Sequence, residues 1–78
     1  MTKIPRNVKG KELIRTLGKL GFNKTGSRGS HVRLTHADGR WTQVAVHQKP
    51  IPQGTLRAII KQSGLTPEEF LSYHKKKK

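Results

Sequence analysis

Cysteine is absent from the 78 residues, which removes disulfides and thiolate metal sites from consideration. Carboxylates are nearly absent too: four Asp and Glu stand against seventeen Lys and Arg, for a formal net charge of +13. So few acids leave no cluster to hold a hard cation, and the histidine spacings give no helical pair for zinc, so no metal and no cofactor is expected. Apolar runs are short, as in Leu56–Ile60, and none could span a bilayer. Lys3 and Arg6 have no apolar segment behind them, so no secretory leader is expected. The expected location is the cytoplasm. No Gly-rich loop opens a helix with a following Lys-Ser/Thr, which leaves nucleotide hydrolysis unsupported.

The excess of cations is the strongest positive feature. Self-repulsion on this scale costs the compact state, and a polyanionic partner explains it most simply. Nucleic acid ranks first, an acidic protein second and a membrane surface last. Four of the cations form the terminal run Lys75–Lys78, but the rest of the chain is still strongly basic.

Pattern divides the chain into a basic N-terminal arm at 1–8, one domain at 9–73 and a basic, disordered tail at 74–78. Leu13, Ile14, Leu17 and Leu20 line one face of a helix from about Lys9 to Leu20, with Asn7 a candidate cap and Gly21 the left-handed stop. A weak strand follows from Phe22 to about Gly26. Residues 31–36 and 41–46 then alternate as strands, with Val32, Leu34, Val44 and Val46 inward. The link HADG suits a turn with Gly39 left-handed. Closing that hairpin at His36–Arg40 pairs Val32 with Val44 and Leu34 with Thr42, which keeps every apolar residue on one side. A second helix reads from about Gly54 to Ser63, with Gly64 its stop. Thr66, Pro67 and Glu69 begin a short last helix with a capping box, stapled by Leu65 and Phe70. The order α-β-β-β-α plus a terminal helix predicts an α+β fold, a three-stranded antiparallel sheet with helices on one face.

In that register His31 faces away from the core, opposite Ala45, with Arg33 and Gln43 on the same open face. His47 lies diagonally across and Lys49 just beyond it. Diagonal neighbours stand roughly 7–8 Å apart. An imidazole exchanges a proton near neutral pH, and adjacent cations bind phosphate while it does so. RNA brings its own nucleophile, the 2′-hydroxyl, so one exposed histidine on a basic face is a coherent ribonuclease site. The segment GSRGS ahead of His31 reads as a flexible loop, where Gly26 and Gly29 allow close approach of a ligand and Arg28 adds charge. It also fits a GxxG loop, but here it joins strands, not the two helices that a KH domain requires. His36 and His74 read as incidental. Trp41 suits either stacking of a base or cover for the sheet edge, and the second is preferred.

The segments GKELIRTLGKLGF (10–22), GSH (29–31), HADGR (36–40), VAVH (44–47) and GTLRAIIKQSGLTPEEF (54–70) together resemble the HicA-type toxins over about residues 9–71. The resemblance implies a double-stranded-RNA-binding-domain-like fold. It also implies a metal-independent mRNA interferase of a toxin–antitoxin pair, neutralised by a HicB-type antitoxin. The catalytic histidine of the family's G-S-H motif falls on His31, with Gly29 and Ser30 completing it. Many members carry a second histidine where this chain has Val32. The full expectation is an endoribonuclease with His31 as acid or base, Ser30 supporting it and His47 a candidate partner. Arg28, Gly29, Arg33 and Lys49 would bind RNA, and the antitoxin would cover His31 and the basic face. The alternative is an RNA-binding module of the same fold that does not cut.

Overall fold

The computed structural model describes residues 4–5 and 7–74. Its elements are α1 (Gly10–Lys19), β1 (Phe22–Arg28), β2 (His31–His36), β3 (Trp41–Ala45), α2 (Gln53–Gln62) and α3 (Pro67–His74). The three strands form one antiparallel sheet in the order β1-β2-β3. This is the α+β arrangement that the patterns predict, consistent with the double-stranded-RNA-binding-domain-like fold that the resemblance implies. The Lys75–Lys78 tail, and Lys3 and Arg6 of the N-terminal segment, lie outside the described residues.

Burial follows the period of each element. Leu13 and Leu17 of α1 and Leu56, Ile59 and Ile60 of α2 cover the inner side of the sheet, meeting Phe22, Leu34 and Val44. Phe70 of α3 closes the core, with Leu65 packed against it. The segment read as an arm also contributes: Ile4 and Val8 are buried in this cluster. The Gln53 side-chain amide donates to the Ile4 carbonyl at 2.9 Å, and the Ile51 amide donates to the Val8 carbonyl at 2.7 Å. Hydrophobic content at Ile4 and Val8 thus outweighs the basic character of the segment.

The β2–β3 hairpin takes the expected register, with Val32 opposite Val44, Leu34 opposite Thr42 and His31 opposite Ala45. The His36 amide donates to the Arg40 carbonyl at 2.7 Å, and Gly39 has φ +101°. The α3 capping box is also formed: the Thr66 amide donates to Glu69 Oε1 at 2.9 Å and the Glu69 amide to Thr66 Oγ1 at 3.1 Å. The start of α1 differs from expectation. Asn7 adopts φ +60°, and Lys9 occupies the cap position, its amide donating to Glu12 Oε1 at 2.9 Å. Gly10 follows because a Cβ there would stand 2.7 Å from the Ala45 carbonyl oxygen: α1 begins pressed on the β3 backbone.

Candidate nucleic-acid interface

Strand β1 is longer than its composition suggests, and it absorbs most of the segment read as a loop. Gly26, Ser27 and Arg28 pair with Arg33, Val32 and His31, leaving only Gly29 and Ser30 as the turn. Gly29 at φ +60° in the first central position is the glycine requirement of a type II′ hairpin, whose twist suits the flanking strands. The expected floppy loop is therefore a tight turn. Backbone pairing with β2, which alternation cannot reveal in a Gly-Ser-Arg stretch, fixes it.

Thr25 is an extra residue in this pairing, because the register steps from Lys24↔Leu34 to Gly26↔Arg33. Strand parity alone would put positions 22, 24, 26 and 28 on one face. The bulge resets it, so Phe22 lies inward while Gly26 and Arg28 lie beside Arg33 and His31 on the open face. The Thr25 and Thr35 hydroxyls hydrogen-bond across the strands at 2.9 Å. The signal that could have revealed this was Phe22 itself, since an inward Phe22 and an outward Arg28 demand an odd residue between them.

Thr25, Gly26, Ser27, Arg28, His31, Arg33 and Gln43 line one hollow of about 270 Å³. Arg28 is the direct cross-strand neighbour of His31, and Ala45 flanks it on the other side. The small side chains of Gly26 and Ala45 leave the imidazole accessible. His31 is exposed, and its ring makes no hydrogen bond, ion pair or ring contact among the described residues. All four acids lie elsewhere: Glu12 in the first turn of α1, Glu68 and Glu69 in that of α3, and Asp38 in the β2–β3 turn. The hollow therefore presents cations with no carboxylate to oppose them.

The remaining candidates are distributed around this hollow. Ser30 sits at the turn, where its carbonyl accepts the Val46 amide at 2.7 Å. His47 follows the end of β3. It shares a second hollow, of about 610 Å³, with Lys49, Pro50, Ile51 and Thr55, and a third, of about 470 Å³, with Lys9, Lys11 and Arg15. Neither includes His31. Among the described residues no three His, Asp or Glu side chains converge as metal ligands. Trp41 begins the edge strand β3, on the open face opposite Thr35, and the Arg33 guanidinium carbon lies 4.6 Å from its ring centroid.

His36 and His74 have structural partners. The His36 ring stands edge-on to Phe22, centroids 5.1 Å apart, and the Asp38 amide donates to its Nδ1 at 3.1 Å. His74 stacks on Phe70 at 5.4 Å, with Thr16 Oγ1 3.3 Å from its Nδ1. No described helix is long and apolar enough to cross a membrane.

A search of curated proteins finds no match to this chain. The family model of the HicA toxin of bacterial toxin–antitoxin systems matches residues 10–65, a span that holds α1, all three strands, α2 and the whole His31 hollow. The chain belongs to the HicA toxin family.

Proposed function

We propose that the chain is an endoribonuclease that cleaves mRNA and thereby blocks translation, with His31 as its acid–base group. The observation that carries this reading is an unpartnered imidazole directly across from Arg28, in a hollow lined also by Arg33 and Gln43 and free of carboxylates. A phosphodiester held by Arg28 and Arg33 brings its 2′-hydroxyl to His31. Loss of the hydroxyl proton lets the 2′-oxygen attack phosphorus. The bond to the 5′-oxygen breaks, and that oxygen takes a proton, leaving a 2′,3′-cyclic phosphate and a free 5′-hydroxyl. The reaction consumes no water and needs no metal. His31 serves as base for the first transfer or as acid for the last.

Ser30 and Gly29 set the turn that presents His31. His47 is the candidate for the second proton transfer, and Lys49 binds a flanking phosphate. Membership of a toxin–antitoxin family implies an antitoxin. Its form in this reading is a HicB-type protein whose acidic groups meet Arg28, Arg33 or Lys49 and cover His31.

Cleavage of RNA in excess EDTA, wild type against His31→Ala, tests the assignment. Wild-type cleavage to 2′,3′-cyclic ends that the variant lacks is the expected result. Tight binding without cleavage by either protein would mean a binding module of the same fold.

A further inference from the structure

The open face of the sheet continues past the His31 hollow to Trp41. Along β2 the positions on this face are His31, Arg33 and Thr35, and their partners on β3 are Ala45, Gln43 and Trp41. Four residues separate the His31 and Trp41 rows, roughly 14 Å at ~3.4 Å per residue. Trp41 is 43% exposed, unusual for the largest apolar side chain of a chain with so few aromatics. The Arg33 guanidinium lies 4.6 Å from the indole centroid, so one arginine joins the His31 hollow to the ring.

We propose that Trp41 and Arg33 form a stacking subsite for one nucleobase of single-stranded RNA, belonging to a nucleotide beyond the scissile one. This rests on the ribonuclease reading of His31. The occupant follows from charge and shape. The row between His31 and Trp41 carries Arg33 and Gln43 and no acid, as a phosphate backbone requires. An exposed indole flanked by a guanidinium offers the π-surface and the cation that a splayed base takes. A duplex keeps its bases stacked on one another and has none to give. The platform therefore selects unpaired stretches of message and sets the distance between the anchored base and the cut.

Trp41 is the sole tryptophan, so its emission reports directly on the subsite. The experiment titrates the full chain carrying His31→Ala, to prevent turnover, with three ligands at one ionic strength. These are an unstructured oligoribonucleotide, the duplex of the same sequence, and inorganic polyphosphate. Saturable quenching by the single strand alone is expected. Labelled single-stranded RNA should bind Trp41→Ala roughly 5- to 150-fold more weakly, while Trp41→Phe keeps most of the affinity. Equal quenching by polyphosphate, or wild-type affinity and cleavage in Trp41→Ala, overturns the subsite. Quenching by single-stranded RNA with no cleavage by the parent chain leaves the subsite standing and overturns the ribonuclease reading instead.

Discussion

His31 and His36 stand at the two ends of the same six-residue strand, and their surroundings differ in almost every respect. His36 packs edge-on against Phe22, and a Cβ on Gly21 would stand 2.7 Å from its Nε2. The Asp38 amide binds its Nδ1, Asp38 binds Arg40, and Arg40 Nη1 donates to the Ser63 carbonyl at 2.7 Å. His36 Nδ1, the Asp38 carboxylate and the Arg40 guanidinium at that end thus all have partners within the fold. At the other end, Arg28 and His31 close a two-residue turn with their side chains directed to solvent. One end is spent on holding the hairpin to α2. At the other, the His31 ring has no such partner among the described residues, and the proposed site rests on that difference.

Exchanging the two histidines for alanine separates these roles. His31→Ala should lower RNA cleavage by about 10²- to 10⁴-fold while leaving the thermal unfolding midpoint unchanged. His36→Ala should do the reverse, keeping most of the activity and losing about 1 kcal/mol of stability through the aromatic contact. Urea titration and a cleavage assay on both variants decide the matter. A His36→Ala enzyme that is inactive yet fully stable would break the comparison.

A smaller effect sharpens the same contrast. A Cβ on Gly26 meets nothing within 4 Å, so Gly26→Ala should fold normally, with a slight gain from reduced unfolded-state freedom. Its methyl group would occupy the floor of the His31 hollow beside Arg33. The expected outcome is a several-fold rise in KM for RNA at unchanged stability. Unchanged kinetics would show that RNA does not approach the sheet there.

Much of this was legible in the sequence wherever the cause was local or periodic. The β2–β3 register followed from keeping Val32, Leu34 and Val44 on one side, and the last helix from the Thr66–Glu69 box. What escaped was set by distant backbone. Gly10 looks out of place in a first helical turn until the Ala45 carbonyl is found against it. Gly26–Arg28 reads as a loop because neither glycine nor serine announces a strand, and only pairing with β2 makes it one. His31 could be placed on the open face from alternation. The presence of Arg28 beside it could not, because that depends on the bulge at Thr25. Trp41 is a different case: its row on the open face was implied by the register, but nothing local indicates that Arg33 lies against its ring.

The two ends of β2 should also differ in their response to acid. Arg40 holds the Asp38 carboxyl below its ordinary range, first through its side-chain hydrogen bond and then through its backbone amide. A depressed folded-state pKa means that the stabilisation is fully present above the unfolded value, about 4. It is lost as pH falls through the lower folded value. Asp38 is exposed, so the effect is small and weakened by salt. Asp38→Asn should therefore melt slightly below wild type at pH 6, with the gap closing towards pH 3. Arg28→Gln, at the end that has no carboxylate, should track wild type across the same range. An Asp38→Asn gap that stayed constant into acid would assign the role of Asp38 to the backbone amide it accepts, which asparagine can also accept, and not to its charge.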